Sequence, residues 1–290
     1  IHGARINMDI LKPRGSGYVA SHGADFVQFN DRWSQIINLR YDQDGSVYLI
    51  DWYDKNQCHS REPDSHDRSN GRVFKVVYQN EKRTTVDLAK RTHMELAQLQ
   101  SHPNEWQARH ARRALQERLA KQNGLPQDFA KVDAILKTQL AKGKTTALRL
   151  RALWCLHGIS GLNEADLLAL LKDRDAMLRA WAIQLLCESK KPSAAARGEF
   201  ARMAREDKSP IVRMYLASAM TRTPVAQRAE VLTGLLSHAE DATDPNLPHL
   251  YWYATEPVVT ADKTAAIVLL SKTKIPKVRQ FITRRLASKQ

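Results

Sequence analysis

The stretch best equipped for chemistry is WYDKNQCHSREPDSHDRSNG at 52–71, preceded by Asp51 and followed by Arg72. It gathers Asp51, Trp52, Asp54, Cys58, His59, Arg61, Asp64, His66, Asp67, Arg68 and Arg72. Carboxylates mixed with imidazole could ligate a cation, and Asp54, His59 and Asp67 are the candidates. Arginine beside tryptophan could hold an anionic planar cofactor, which singles out Asp51, Trp52, Asp54, His59, Arg61 and Arg68. Two other readings stay open: a structured loop closed by Asp–Arg pairs, and a thiol role for Cys58. No residue can be named as catalytic. The sequence has no Gly-rich phosphate loop, His-Glu-x-x-His, Gly-x-Ser-x-Gly or EF-hand pattern. The run KGKTT at 142–146 lacks the upstream glycine and strand of a phosphate loop. With no Cys-x-x-Cys-His, no c-type haem attaches to this chain. Cys58, Cys155 and Cys187 are too scattered for a disulfide framework or a zinc site.

The elements that would position this loop are strands. Residues 36–41 (IINLRY) alternate as a half-buried strand does. Asp42-Gln43-Asp44-Gly45 is a turn with glycine where positive φ is tolerated. Residues 46–51 and 72–78 are rich in β-branched and aromatic side chains and give two further strands. Three antiparallel strands read as one propeller blade or a small meander, which is marginal unless it leans on a neighbour.

From about Thr85 the apolar period changes to 3.6, the spacing of helices. One phrase recurs, with a marker arginine at Arg109, Arg149, Arg179, Arg213 and Arg279; Leu250 takes the marker position in a further unit around 246–253. Periods of this size, built from helix pairs, indicate HEAT or armadillo stacking. The expected fold is therefore mostly α: a HEAT-type α-solenoid over 85–290, preceded by a short antiparallel β segment over 1–80. Asp173, Asp175, Ser209-Pro210 and Asp244-Pro245 supply helix starts. The arginines are expected to reach a carboxylate or turn carbonyl of a neighbouring unit. Trp106, Trp154 and Trp181 are expected between units, and Cys155 and Cys187 as buried thiols. Tyr251, Trp252 and Tyr253 form a dense aromatic cluster, read either as core or as an interaction surface.

Charge divides the same way. Residues 1–80 hold 10 Lys and Arg against 10 Asp and Glu, and residues 81–290 hold 35 against 21, so the whole net charge of +14 lies in the helical part. A basic domain attracts nucleic acid, acidic lipid or an acidic protein. No apolar run is long enough to cross a membrane. The chain opens on Ile1-His2-Gly3 with no leader to read, which suggests a piece of a longer protein.

Several stretches carry a resemblance: GSGYVASHGADFVQFNDRW (15–33), INLRYDQDGSVYLIDWYDKNQCH (37–59), DRSNGRVFKV (67–76) and ATDPNLPHLYWYATEP (242–257). They resemble the planctomycete-type membrane-bound dehydrogenase family, whose propeller is similar to that of quinoprotein glucose/sorbosone dehydrogenases. In that family the propeller is followed by HEAT repeats and often by a c-type haem domain. The resemblance makes residues 1–80 the end of the last blade. It places the 51–72 loop on the face that carries the central pocket, and the protein in the periplasm or cell envelope. Most of the propeller and the haem motif are missing here. A quinone-type cofactor, calcium and haem are therefore expected only in a longer parent, and none in this chain.

Three functions follow. The first is the C-terminal portion of a dehydrogenase-like protein whose solenoid is a protein-interaction scaffold. The second is a free-standing HEAT scaffold for a protein partner. The third is a basic solenoid binding nucleic acid, which requires a continuous Lys/Arg stripe. The basic residues are instead scattered (Arg112, Arg113, Lys121, Lys137, Lys172, Arg197, Lys208, Arg222, Lys272, Arg284), which sets the third behind the others.

Overall fold

A computed structural model of the chain describes residues 3–56, 62, 65–67, 69–79, 85–121 and 126–288. It is mostly helical, with twelve α-helices and three small antiparallel sheets among the described residues. Among the described residues every strand lies before residue 77 and every α-helix after residue 92. The chain forms two compact units: residues up to 11 together with 20–161, and residues 12–19 together with 162 onward.

In the first unit β1 (Arg5–Ile6) pairs with β4 (Val27–Gln28). A ribbon of β2 (Asp9–Arg14) and β3 (Gly17–His22) was not legible in the sequence, because nearly all its residues are exposed and no apolar alternation marks it. Pro13, which cannot donate to a ladder, sits in this two-stranded edge where it is tolerated. The three strands read from the sequence are β5 (Ile36–Tyr41), β6 (Val47–Asp51) and β7 (Arg72–Val76), in the order β5-β6-β7. The β5–β6 turn places Gly45 at φ 87°, and Asp44 accepts from the Ser46 amide and pairs with Lys75 at 2.7 Å.

The register divides the sheet into two apolar faces. Leu49 lies between Leu39 and Phe74 and is buried, with Phe29 packed on Phe74 at 6.2 Å. On the opposite face Ile50 pairs with Val73, and both are exposed. The sheet is anchored at its β5–β6 turn. Asn104 and Gln107, at the start of a helix, donate to the Asp42 and Gln43 carbonyls, and the Gln43 side chain accepts from the Val86 amide.

That helix is α2 (Glu105–Ala120), which packs with α1 (His93–Gln98) and α4 (Thr146–Gly158), while α3 (Phe129–Lys142) packs with α1 and α4. Their core is Leu96, Ala108, Ala111, Leu115, Val132, Leu136 and Leu153, with those of α2 and α3 three and four residues apart. Side-chain caps start the helices: Thr92 with Glu95 as a capping box, Asn104 and Thr145. Trp106, Trp154 and Trp181 are half-buried rather than fully enclosed, and Cys155 is buried with its thiol pushed up to about 12 by that burial.

The second unit holds α5 (Glu164–Leu170), α6 (Ala176–Leu186), α7 (Ala194–Glu206), α8 (Pro210–Thr221), α9 (Ala229–Leu235), α10 (Leu247–Ala261), α11 (Lys263–Lys272) and α12 (Pro276–Ala287). Packing runs in series. Helix α6 lies on α8, α8 on α10 and α10 on α12, while α7 lies on α9 and α9 on α11. One apolar core extends from Leu171 to Ile282. Asp175, Ser193, Ser209 and Asp262 cap their helices, and proline occupies the first turn of α8, α10 and α12.

Residues 12–19 are tied to this unit at Ser16, by the Asp244 carboxylate and the Asn246 side-chain amide. Asp244 accepts from the Ser16 amide and hydroxyl, each at 2.7 Å, and from the Asn246 and Leu247 amides before α10. Burial raises the Asp244 carboxyl, but these donors outweigh it and leave its pKa below the ordinary value. Gly15 is needed beside it. Its φ is +56°, and a Cβ there would run into the Asp244 carboxylate. Gly15→Ala should therefore lower stability by about 1–3 kcal/mol in urea unfolding. Gly71→Ala, where a Cβ meets nothing within 4 Å, should change it by less than about 1 kcal/mol. Equal effects of the two substitutions would refute this account of Gly15.

Candidate functional site

The 51–72 loop follows β6, and its two leading carboxylates turn inward. Asp51 is fully buried at the end of β6. It accepts from the Gln35 amide at 2.7 Å, the Ser34 hydroxyl at 3.1 Å and the Tyr53 amide at 3.0 Å. Arg72, its cross-strand neighbour on β7, adds Nε at 3.2 Å and Nη2 at 2.7 Å. Burial pushes this carboxyl up, yet the Gln35 amide and Arg72 guanidinium outweigh it, so Asp51 stays ionised below the usual carboxylate range. Arg72 also stacks on Tyr53, 3.6 Å from the ring centroid.

Asp54, 1% exposed, is the second hub. It accepts from the Asn56 and Asp67 amides and meets His66 Nδ1 at 3.0 Å. Burial raises its pKa, but the Asp67 and Asn56 amides and His66 more than compensate and bring it to about 2. Asp67 folds the loop's far end by accepting from Ser69 and Asn70.

The cofactor candidates are thus only partly brought together. Asp51 and Asp54 face inward with their oxygens taken by loop and strand donors. Trp52 points out, 54% exposed, beside a cleft of about 440 Å³ lined by Ile50, Asp67, Asn70 and Val73 among others. His59, Arg61, Arg68 and Cys58 lie outside the described residues. Of the cation candidates, Asp54 and Asp67 are linked through the Asp67 amide, while His59 is outside the described set. No group of three or more His, Cys, Asp or Glu poised for a metal occurs among the described residues.

The helical markers fall at one position: Arg149, Arg179, Arg213 and Arg279 are each the fourth residue of their helix, and Arg109 the fifth. Arg179 donates from Nε and Nη2 to both oxygens of Asp207, at 2.7 and 2.9 Å, and from Nη1 to the Asp173 carbonyl at 2.8 Å. Arg213 repeats this on Asp241 at 2.7 and 2.5 Å, with Nη1 on the Asp207 carbonyl at 2.9 Å. In both, the carbonyl lies 6 residues back and the carboxylate 28 residues on. The others differ. Arg149 donates to the Leu140 carbonyl, Arg279 to the Thr273 carbonyl at 2.5 Å, and Arg109 lies 5.9 Å from the Tyr41 ring centroid.

The aromatic cluster on α10 splits three ways. Tyr251 is fully buried and donates its hydroxyl to Asp241 at 2.6 Å, completing the Arg213 rung. Burial and that bond push its pKa far above the ordinary value. Trp252 packs on Phe281 at 5.4 Å, and Tyr253 is 58% exposed, the member open to a partner. The role of Tyr251 was not legible in its neighbours, since its acceptor is ten residues earlier in a separate turn.

No family model matches the chain, and no curated protein matches it. No helix among the described residues is long and apolar enough to cross a membrane.

Two predictions follow from these networks. Arg213 and Asp241 are both 3% exposed, whereas Arg179 is 17% exposed. Arg213→Ala should cost about 3–5 kcal/mol, because it leaves a buried carboxylate unpaired, and Arg179→Ala about 1–3 kcal/mol. Arg279→Ala should lie within about 0.5 kcal/mol of the parent chain. Chemical denaturation checks the order, and an equal cost at all three positions would rule it out.

The second concerns acid. Asp54 has its folded pKa depressed from 3.8 to about 2, so its contribution is fully present above 3.8 and is lost as pH falls toward 2. Asp54→Asn should destabilise the β segment at neutral pH, with the gap from the parent chain closing over that interval. Near-ultraviolet circular dichroism melts at several pH values would measure it. A gap independent of pH would mean that the ionised carboxylate is not the hub.

Proposed function

We propose that this chain is the C-terminal portion of a dehydrogenase-like protein, in which residues 85–290 form a HEAT-type solenoid that serves as a protein-interaction scaffold. The observation that carries the reading is the repeated rung. Arg179 and Arg213 use the same atoms on partners at the same two sequence distances. A rung copied at a fixed period is what stacked helix pairs generate, because each pair meets the next through an equivalent surface. The serial packing of α6, α8, α10 and α12 supports the same reading. Arrays of this kind offer an extended surface rather than an enclosed cavity, and extended surfaces suit polypeptide partners.

Residues 1–80 are, on this reading, the last blade of a propeller similar to that of quinoprotein glucose/sorbosone dehydrogenases. Support comes from the apolar residues on both faces of the β5–β6–β7 sheet, as in a blade with a neighbour on each side. Asp51 and Asp54 close the blade, and the chain holds no complete active site. A quinone-type cofactor, calcium and haem belong to the longer parent, which would work in the periplasm or cell envelope as a sugar or alcohol dehydrogenase.

Calorimetric titration of the chain with calcium and with a quinone cofactor should give no dissociation constant below about 1 μM, since tight sites need several preplaced ligands with outer-shell support. The parent with its full propeller should reduce a dye acceptor with a sugar or alcohol. A sub-micromolar constant for this chain, or an inactive parent, would overturn the corresponding half of the proposal.

A further inference from the structure

Helices α6, α8, α10 and α12 pack in series, and each carries an aromatic residue at its sixth position: Trp181, Tyr215, Trp252 and Phe281. Equivalent positions on serially packed helices fall on one face, so the four rings make a stripe along that layer. Ring contacts join them in two pairs of the same shape. Trp181 and Tyr215 lie 6.4 Å apart at 51°, and Trp252 and Phe281 lie 5.4 Å apart at 50°. All four are half-buried, neither enclosed in the core nor standing clear of it. The ninth positions, about one turn further along each helix, are Gln184, Ser218, Thr255 and Arg284, so the stripe has a polar border.

Packing between helices accounts for the inner edges of these rings but not for two polar atoms on them. The Tyr215 hydroxyl has no hydrogen-bond partner among the described residues, and burial alone pushes its pKa above the ordinary value. The Trp252 indole N–H likewise meets no acceptor among them. Each tilted pair therefore offers one unused donor. The pairs are two helix steps apart, about 16–20 Å at the usual spacing of packed helices. A polyproline II segment rises ~3.1 Å per residue, so two of its three-residue turns span ~19 Å and bring equivalent side chains to both pairs. A helical ligand would need a broader apolar groove than a single line of rings. A β-strand would find no backbone to pair with, because the amides and carbonyls of helix interiors are already bonded within the helix. Polyproline II has no internal hydrogen bonds, which leaves its carbonyls open to the Tyr215 and Trp252 donors.

We propose that the stripe formed by Trp181, Tyr215, Trp252 and Phe281 is a docking site for a proline-rich protein segment in the polyproline II conformation. Prolines six residues apart rest in the two tilted pairs, and the Tyr215 O–H and Trp252 N–H donate to carbonyls of the segment. Proline suits such a surface because its apolar ring carries no N–H that docking would leave unbonded, and because a preformed segment loses little freedom on binding. The inference rests on the reading of the helical part as a protein-interaction scaffold and names the site and chemistry of one partner.

The test uses the full chain and an end-blocked peptide of about ten prolines, long enough to reach both pairs. Calorimetric titration should show saturable binding with a dissociation constant below about 1 mM, and a Gly-Ser peptide of equal length should show none. Trp252→Ala and Tyr215→Ala should each weaken binding about tenfold or more. Trp252→Phe and Tyr215→Phe keep a ring and remove the donor, and should each weaken it about threefold to tenfold. Tyr253→Ala, beside the stripe but outside it, should change binding by about twofold or less. Circular dichroism identifies any alanine variant that fails to fold, and the two phenylalanine variants then decide the matter. A peptide with proline at every third position should bind within about fivefold of the all-proline peptide, since it still brings proline to both pairs. Absence of saturable binding, or binding indifferent to Trp252 and Tyr215, would overturn the proposal. So would a linear oligosaccharide such as cellohexaose binding through the same rings more tightly than the peptide. Such a failure leaves the scaffold reading standing, since a partner could dock elsewhere on the array. Loss of the stability order among Arg213, Arg179 and Arg279 would instead strike the array itself.

Discussion

Asp241 is removed from water, and the surrounding architecture answers to that fact. An ionised carboxylate is tolerated in a protein interior only when charged or polar donors replace its hydration. Here Arg213 supplies two charge-assisted bonds and Tyr251 a third, from α8 and α10 respectively. The same guanidinium reaches back to the Asp207 carbonyl, and the Asp207 side chain is in turn gripped by Arg179. The Asp207 turn thus serves two helices: its carbonyl takes Arg213 of α8 and its carboxylate takes Arg179 of α6. The apolar core fixes how closely the helices approach, but apolar contact is non-directional. The Arg179 and Arg213 rungs add directional contacts between these helices and turns.

The series stops at α10 in a way that explains its aromatic cluster. Leu250 stands at the fourth position of α10, where an arginine would continue the series. Thr273, buried and bonded to the Ile275 amide, stands six residues before Arg279, as Asp207 stands before Arg213, with its carbonyl taken by Arg279. Arginine and acid are lost together, which avoids leaving either one buried and unpaired. Tyr251, next to Leu250, turns instead to Asp241 and closes the preceding rung.

The β segment meets the same constraint with different donors. Asp51 and Asp54 gather backbone amides, Arg72 and His66 at the end of a sheet too small to hold its shape by burial alone. The sequence makes β5, β6 and β7 legible because their alternation is strong, and the marker arginines legible because their phrase recurs. It leaves the acceptors hidden. Asp207 and Asp241 lie 28 residues from their arginines, beyond any local pattern. A carboxylate that closes a loop is also the same residue type as one that ligates a cofactor. Which way Asp51 turns depends on Gln35 and Arg72, 16 and 21 residues away. The β2–β3 ribbon escapes for another reason: its residues are exposed, so no burial pattern was ever imposed on them.

Electrostatics and packing then converge on what kind of molecule this is. Within residues 162–262 acids slightly outnumber bases, and the acids that matter are consumed in rungs and caps. A surface whose arginines are matched internally exerts little pull on a distant partner, because paired charges cancel beyond about one Debye length, ~10 Å. Attraction is left to positions where pairing stops, and stickiness to positions where apolar side chains lack cover. The first condition is met along α11 and α12, and the second on the Ile50–Val73 face of the sheet. The two surfaces differ in chemistry, one cationic and polar-rimmed, the other apolar. They would select different neighbours even when presented by one chain.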